Sequence, residues 1–332
     1  MERETPSLQE AYTDLFRIGA AVSTETLRRE QEFVARHYNS LTAENQMKFE
    51  EIHPEEDRYT FEAADEIVDF AVRHKMAVRG HTLVWHNQTP AWVFQEDGGQ
   101  ASRTQVLKRL EEHTYTVMRR YAGRIGAWDV VNEAVEDGAA GYLRQTPWLD
   151  CVGEDYLEQA FHIAHRADPD ALLFYNDYNE TDPLKREKIH RLVGSLKAAG
   201  APVHGIGMQG HWNLYGPPID EIKEAIELYI SLGVRLHITE LDLSAFRFED
   251  RRTDLAAPTP EMEELLTVRY EEIFRLFREY RSAIDSVTFW GAADTRTWLD
   301  GFPVRGRLNW PLPFDRKLQA KPAFWRIVEA AR

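Results

Sequence analysis

The segment Ala127-Trp-Asp-Val-Val-Asn-Glu133 is a short, largely apolar run that ends abruptly in an amide and a carboxylate. A run of this length containing β-branched residues predicts a buried strand. A second segment, Arg235-Leu-His-Ile-Thr-Glu240, follows the same plan and again ends in a glutamate. The fold prediction grows from these two segments and from the pattern that surrounds them.

Runs of this kind, bounded by turns, recur eight times along the chain. They are Arg17–Ala21, Ser40–Thr42, Ala77–Thr82, Ala127–Val131, Leu172–Asn176, His204–Gln209, Arg235–Thr239 and Ser286–Trp290. Between them lie patterns typical of one-sided helices, in which apolar residues follow i, i+3, i+4, i+7 spacing. Two clear stripes are Ala64, Ile67, Val68, Ala71 and Leu266, Tyr270, Ile273, Phe274, Phe277. Thr259-Pro260 predicts a helix start, and Gly233 predicts a helix stop.

Eight alternations of strand and helix predict the fold class: α/β, a closed (β/α)8 TIM barrel. No Pro/Gly/Ser-rich linker or low-complexity tract divides the chain, so we predict one catalytic domain over residues 1–332, without a carbohydrate-binding module. A doubly wound open sheet is the alternative. No Gly-x-Gly-x-x-Gly or Walker loop follows any predicted strand, so that alternative lacks its usual support.

The charge balance excludes two classes of partner. With 40 Lys plus Arg against 55 Asp plus Glu, the net charge of −15 opposes binding to nucleic acid or to an anionic membrane surface. The start of the chain lacks the pattern of a secretory leader, no apolar run is long enough to span a bilayer, and Cys151 is the only cysteine. We therefore expect a cytoplasmic protein, unless a leader has been removed. The sequence does not distinguish a monomer from a homodimer.

Polar and aromatic side chains cluster where the predicted strands end. Barrel enzymes hold their chemistry at the carboxyl ends of the strands. Just past seven of the eight predicted strands stand carboxylates, amides, imidazoles or indoles. Glu133 and Glu240 stand out because each directly follows an apolar run. Hydrolysis of a glycosidic bond needs one carboxylic acid for the leaving oxygen and one carboxylate for the anomeric carbon, so we expect these two side chains to face each other.

The neighbours of the two glutamates suggest their roles. If His211 bonds Glu240 and is itself oriented by Asp242, Glu240 stays ionised and serves as nucleophile. Glu133, beside the aromatic Trp128, then acts as acid and later as base. A single glutamate at a strand end is more often a cap or an ion-pair partner. Metal is the rival explanation, but no His-Glu-x-x-His, cysteine pair or Asp-rich loop is present, so no metal and no cofactor is expected.

The nine tryptophans divide into two predicted groups. Trp128, Trp148 and Trp325 are expected to fill the core. Trp85, Trp290 and Trp298 follow strand ends, where an indole face can stack on the apolar face of a pyranose. The long stretch from Asp242 to Thr259 is expected to shape the site, although Phe246, Arg247 and Phe248 within it could equally pack on the body of the protein.

Five strings resemble the family 10 glycoside hydrolases, which are retaining endo-β-1,4-xylanases, and the resemblance runs from about Ile18 to Trp325. They are Thr42-Ala-Glu-Asn-Gln-Met-Lys48, Gly80-His-Thr-Leu-Val-Trp-His86, Trp128-Asp-Val-Val-Asn-Glu133, Tyr175-Asn-Asp-Tyr178 and Ile238-Thr-Glu-Leu-Asp242. They occur in the family's order and on its strands. The resemblance implies a (β/α)8 barrel with Glu133 as acid/base, Glu240 as nucleophile, and Asn132, His211 and Asp242 as supports.

The resemblance also implies the residues that hold substrate, a xylan or xylo-oligosaccharide. Those matching glycone-side positions are Glu44, Asn45, Lys48, His81, Trp85, Gln88, Gln209, Trp290 and Trp298, and those matching aglycone-side positions are Asn176 and Tyr178. Lys48, Gln88 and Trp298 match family residues that occupy the space where a glucose hydroxymethyl group would lie. The resemblance therefore implies that xylose is favoured.

Two departures from the family pattern bear on distal sugar binding. Thr297-Trp298-Leu299 replaces a common Ser-Trp-Arg, and Asn309-Trp310 precedes the usual Pro-Leu-x-Phe-Asp ending. Both changes resemble the family's intracellular branch, which trims short xylo-oligosaccharides. Another retaining β-1,4-glycanase or a transglycosylase on the same barrel is the alternative, and a sugar-binding barrel without chemistry is the non-enzymatic one.

Overall fold

Eight parallel strands close into one barrel in the computed structural model, which describes residues 5–96 and 98–332. The strands are β1 Arg17–Val22, β2 Ser40–Ala43, β3 Ala77–Val84, β4 Ala127–Asn132, β5 Leu172–Asp177, β6 Gly205–Met208, β7 Arg235–Ser244 and β8 Ile284–Phe289. Each pairs with the next in parallel, and β8 pairs with both β7 and β1, which completes the cylinder. The predicted barrel is confirmed, and the open sheet is excluded.

The predicted strand positions are correct, but several of their ends are wrong. The largest difference is in β7, which continues five residues past the predicted end at Thr239 and reaches Ser244. The extension exists because a short strand, His211–Asn213, pairs in parallel with Asp242–Ser244. Glu240 therefore lies inside a strand rather than after it.

A helix follows each strand and packs on the outside of the barrel. These are Thr24–His37, Glu62–Arg73, Arg103–Tyr121, Tyr156–Ala167, Pro183–Ala198, Ile219–Ile230, Pro260–Glu279 and Pro322–Ala330. Shorter helices at Leu8–Ala11, Phe49–Ile52 and Pro147–Val152, 3-10 turns at Ala91–Phe94 and Trp298–Asp300, and a small hairpin at Gln95–Glu96 and Gly99–Gln100 lie in the connections.

Both predicted helix stripes face the core, since all nine of their residues are buried. The predicted cap is present: the Thr259 hydroxyl accepts a hydrogen bond from the Met262 N–H, and Pro260 begins the helix. Gly233 adopts a positive φ of 66° three residues after the helix that ends at Ile230. The Thr259 cap thus explains where the helix Pro260–Glu279 begins, and one-sided burial explains which face each striped helix turns to the core.

Barrel strands also require close approach between side chains of neighbouring strands. A Cβ at Gly80 would lie 2.1 Å from the ring of Trp128, so only glycine fits beside that fully buried indole. In the described ranges 5–96 and 98–332, no helix is long and apolar enough to cross a membrane. Residues 1–4, on which part of the leader expectation rests, lie outside these ranges.

Candidate active site

Glu133 enters the cleft from a turn at the end of β4. Its backbone N–H donates to the carbonyl of Asn176 at 2.8 Å, and its φ of 58° is unusual for a residue with a side chain. The carboxylate is half-buried. The Trp85 indole N–H donates to its Oε2 at 2.8 Å, and the Gln209 amide donates to its Oε1 at 2.9 Å. Neutral donors thus hold Glu133 at a fixed point on the cleft wall.

Glu240 approaches the same cleft from inside β7 and is 5 % exposed. Its backbone N–H donates to the carbonyl of Gln209 at 2.8 Å. The side-chain amide of Asn176 donates to its Oε1 at 2.9 Å, and His211 Nε2 lies 3.1 Å from its Oε2. Both carboxylate oxygens therefore have a fixed donor, which sets the orientation of the group.

A chain of amides connects the two carboxylates. The second hydrogen of the Asn176 amide goes to Asn132 Oδ1 at 2.8 Å, and the amide of Asn132 donates to Glu133 Oε1 at 3.2 Å. Glu133 and Glu240 both line one cleft with a volume of about 1040 Å³. The two glutamates that the sequence singled out are thus brought together at the carboxyl ends of β4 and β7.

His211 forms the bridge that the sequence reasoning required. Its Nδ1 lies 3.0 Å from Asp242 Oδ1, and the other oxygen of Asp242 accepts from the Trp298 indole at 2.7 Å. Burial alone would lower the pKa of His211, but Asp242 and Glu240 outweigh it and raise that pKa to about 10. The ring is therefore an imidazolium at neutral pH and donates from both nitrogens.

The imidazolium controls the ionisation of Glu240. Burial would raise the pKa of this carboxyl, but the hydrogen bond from His211, the nearby His81 and the Asn176 amide lower it to about 2. Glu240 is thus a carboxylate across the whole range in which the protein would work. An ionised, oriented carboxylate is what nucleophilic attack on an anomeric carbon needs.

Other predicted residues line the cleft around this pair. Lys48 is buried, donates to Asn45 Oδ1 at 3.0 Å and lies 4.8 Å from the centre of the Trp85 ring. His81 is oriented from below, because its Nδ1 lies 2.9 Å from Asp129 Oδ2, within an ion pair that Asp129 makes with Arg79. The predicted residues that line the cleft are Glu44, Asn45, Lys48, His81, Trp85, Asn132, Glu133, Tyr178, Gln209, His211, Glu240, Asp242, Trp290 and Trp298.

Two of the residues predicted to bind sugar, Asn176 and Gln88, are not among those that line the cleft, and Trp128 is not the aromatic neighbour of Glu133. Asn176 is fully buried, and both of its amide hydrogens are used on Asn132 and Glu240, so it supports the carboxylates instead of facing the aglycone. Gln88 does not line the cleft, and its amide lies 3.5 Å from Asn45 Oδ1. Trp128 is buried against Gly80, and the indole that contacts Glu133 belongs to Trp85.

A charged cluster that the sequence reasoning missed borders the cleft beside Tyr178. The Tyr178 hydroxyl donates to Asp137, and Arg144 contacts both of them and also donates to the Glu133 carbonyl at 3.0 Å. Lys185 is 1 % exposed and lies between Asp137 and the fully buried Asp177. No sequence spacing signals this cluster, since its members come from separate loops and a helix.

The loop after β7 lines the cleft, as its length suggested. Within it, Phe246 is buried, whereas Phe248 is 58 % exposed, so the two rings have different surroundings. Trp298 stacks on Phe302 with ring centres 5.0 Å apart. The buried Asn309 fixes the start of the loop by accepting from the Ala245 N–H at 2.9 Å and donating to Ser244 Oγ at 3.0 Å. Leu299, at one departure from the family pattern, is buried and lines the same cleft.

A closed parallel barrel whose strand ends present an ionised glutamate and a second glutamate across an aromatic-lined cleft defines the class of barrel glycoside hydrolases. Comparison with known proteins makes this specific. The chain belongs to glycosyl hydrolase family 10, which it matches over residues 7–330.

Several relatives are similar over almost the whole chain. Endo-1,4-beta-xylanase B of Paenibacillus barcinonensis is 67 % identical over 329 residues, covering 99 % of both chains. An endo-1,4-beta-xylanase of Geobacillus stearothermophilus is 57 % identical over 330 residues, covering 97 % of this chain and 98 % of the relative. A crystal structure of xylanase XynB from Paenibacillus barcinonensis, in complex with a conduramine derivative, superposes with a TM-score of 0.97 at 66 % identity, covering 98 % of this chain and 99 % of the other.

Proposed function

We propose that Glu240 and Glu133 hydrolyse β-1,4-linked xylan or xylo-oligosaccharides by double displacement, with Glu240 as nucleophile and Glu133 as acid/base. The enzyme class follows from the family and the high identity to named xylanases: the chain is a retaining endo-1,4-β-xylanase. The observation that carries the residue assignment is the imidazolium of His211 on Glu240 Oε2, with no cationic donor on Glu133 among its described hydrogen bonds.

The first half of the reaction forms a bond between a Glu240 oxygen and the anomeric carbon. As that bond forms, the bond from the anomeric carbon to the glycosidic oxygen breaks, and a proton on Glu133 passes to the departing oxygen. The product is a glycosyl ester on Glu240. His211 and Asn176 keep the attacking carboxylate in line, so little reorganisation is needed as the bond forms.

The second half reverses these roles. Glu133, now a carboxylate, takes a proton from a water molecule while the water oxygen bonds to the anomeric carbon and the ester bond to Glu240 breaks. Two inversions give net retention. Gln209 and Trp85 hold Glu133 in both halves of the reaction. Gln209 donates to Oε1 and Trp85 donates to Oε2, so both oxygens of the group that exchanges the proton are held in place.

Azide separates the two roles. With an activated aryl β-xyloside, Glu240→Ala should be rescued by azide to give a product of inverted configuration, because azide replaces the nucleophile. Glu133→Ala should be rescued to give a product of retained configuration, because azide attacks the glycosyl ester in place of activated water. The anomers are read by NMR, and Glu136→Ala, whose carboxylate bonds the Gly138 N–H, is the matched control. Exchanged outcomes would reverse the assignment.

The sugar preference is a separate part of the proposal. Lys48 and Trp298 line the cleft and are proposed to occupy the space that a glucose hydroxymethyl would need, while Gln88 supports this wall through Asn45. Hydrolysis of xylotriose should be faster than that of cellotriose at equal concentration. The reverse order would favour the alternative hypothesis, another retaining β-1,4-glycanase on the same barrel. A distance of about 5–5.5 Å between the two carboxyls in a crystal structure would support retention. A cytoplasmic location and action on short imported oligosaccharides stay predictions.

A further inference from the structure

Glu180 is a buried carboxyl directly behind the nucleophile's support, and the mechanism above makes no use of it. Its side chain is fully buried. Its Oε1 accepts two hydrogen bonds, from the Gly210 N–H at 3.2 Å and from the Trp212 indole N–H at 3.1 Å. The residue between these two donors is His211. One oxygen of Glu180 therefore holds both neighbours of the imidazole that bonds Glu240.

The backbone around His211 is held at several points. Gly210 has a φ of 75°, a left-handed conformation that glycine adopts readily, and its carbonyl accepts from the Asp242 N–H at 3.3 Å. His211–Asn213 pairs with the extended end of β7, which aligns His211 with Asp242. The Glu180 backbone is itself anchored, since its carbonyl accepts from the Tyr229 hydroxyl at 2.6 Å. Helix Ile219–Ile230, β5 and β7 are thereby linked to the position of one ring.

We propose that Glu180 is a positioning residue for His211, which keeps the imidazole on Glu240 by holding Gly210 and Trp212. The inference rests on the proposed role of Glu240 as nucleophile and extends it to a residue that does not touch substrate. It accounts for a buried acid at a place where an ordinary core residue would leave two N–H donors, in Gly210 and Trp212, without an acceptor.

The positive groups near Glu180 oppose the effect of its burial. His211 and Lys185 face it with positive charge, and the Tyr229 hydroxyl lies on its backbone side. Burial raises the pKa of Glu180 to about 7, against the lowering effects of backbone donors, His211 and Lys185. Its second oxygen, Oε2, is buried and has no hydrogen-bond partner within the described residues.

The test compares Glu180→Ala with Glu180→Gln. Alanine removes the acceptor, so His211 should lose its fixed position, and kcat/KM on xylotriose should fall on the order of 10-fold to 100-fold. The acid limb of the kcat/KM profile should also move to higher pH, because Glu240 loses the donor that keeps it ionised. Glutamine retains an acceptor oxygen for Gly210 and Trp212, so activity within a few-fold of wild type and an unmoved acid limb are expected.

Two outcomes would overturn the proposal. A folded Glu180→Ala with the wild-type acid limb would show that Glu180 only supports the fold, since a structural role lowers Tm without changing the ionisation of Glu240. If Glu180→Ala fails to fold, Trp212→Phe removes one of the two donors and should move the acid limb in the same direction by less. An unmoved limb in Trp212→Phe would then count against the proposal.

The failure of this inference differs from failure of the proposed function. Wild-type protein that does not cleave xylotriose, or Glu240→Ala that cleaves it normally, would reject the assigned function. Wild-type activity that depends on Glu240, together with a Glu180→Ala variant of unchanged pH profile, would reject only the role of Glu180.

Discussion

The Nε2 of His211 lies 3.1 Å from Glu240 Oε2, while its Nδ1 lies 3.0 Å from Asp242 Oδ1. The His211 cation lies between two carboxylates and keeps Glu240, the one that faces the reacting sugar in the proposed mechanism, ionised. Glu133, by contrast, is held by the indole of Trp85 and the amides of Gln209 and Asn132. The division of labour between the two glutamates follows from this difference between charged and neutral donors.

Replacing His211 with asparagine should move the acid limb of kcat/KM upward. Burial would raise the pKa of Glu240, but its polar and charged neighbours lower that pKa to about 2. The hydrogen bond from His211 makes the largest lowering contribution. Without it the pKa rises, so activity is lost at a higher pH as the solution is acidified. The kcat/KM profile on xylotriose measures this directly, and an unchanged acid limb would show that His211 does not control Glu240.

Replacing Trp85 with phenylalanine should distinguish good from poor leaving groups. The variant keeps an aromatic ring beside Lys48 but removes the N–H that donates to Glu133 Oε2 at 2.8 Å. A misplaced acid matters for a sugar leaving group and matters little for an activated aryl group, which needs no proton. We expect kcat on xylotriose to fall roughly 10-fold or more, with little change for the aryl xyloside. Equal losses on both substrates would mean that Trp85 acts through sugar binding alone.

The sequence predicted the barrel and the two glutamates because both depend on local patterns. Strands buried on both faces read as short apolar runs, and the polar residues that end them mark the open side of the barrel. Contacts between side chains of different loops leave no such mark. The family resemblance implies an aglycone-side role for Asn176, but the register of β5 places its amide against Asn132 and Glu240.

The aromatic hydrogen-bond partner of Glu133 is likewise not predictable from nearness in the sequence. Nearness in sequence predicts Trp128 as the neighbour of Glu133, but its ring packs against Gly80 of the adjacent strand. Trp85 lies 48 positions before Glu133 in the sequence. Its indole reaches Glu133 only because β3 and β4 are neighbours in the barrel. The cluster of Asp137, Arg144 and Lys185 likewise depends on how loops fold over the strand ends.

Removing Lys185 should be costly for stability. Its ammonium is 1 % exposed and lies 2.8 Å from Asp177 Oδ1, which is fully buried, and 2.6 Å from Asp137 Oδ1. Lys185→Met leaves Asp177 without its counter-ion, which typically costs about 3–5 kcal/mol. Urea unfolding followed by fluorescence measures the loss. Exposed Lys223→Met is the control, expected within about 0.5 kcal/mol of wild type, and a similar small change in Lys185→Met would contradict the assignment of a buried ion pair.

Acid should weaken the fold through a buried pair of histidines beside the cleft. His113 is fully buried and stacks on Phe49 with ring centres 3.6 Å apart. Its Nδ1 lies 3.3 Å from His53 Nδ1, and its Nε2 has no hydrogen-bond partner among the described residues. Burial lowers the pKa of both rings, and that of His113 falls well below 6.5. His113 is therefore neutral in the folded protein at pH 6.5, where an unfolded histidine is half protonated.

The sign of the effect follows from this difference. Well above pH 6.5 neither the folded nor the unfolded state binds the proton, so the ring adds no pH dependence. As the pH falls through 6.5 the unfolded chain binds a proton that folded His113 does not, so stability falls as the pH falls. His113→Phe keeps a ring on Phe49 and removes one such site, so its Tm should decline less than that of wild type between pH 6.5 and 5. His74→Gln, at an exposed position, should follow the wild-type curve. Parallel Tm curves for His113→Phe and wild type would refute this account. Phe49, on which His113 stacks, directly follows the cleft residue Lys48. Protonation of His113 in wild type should therefore raise KM for xylotriose before the protein unfolds globally.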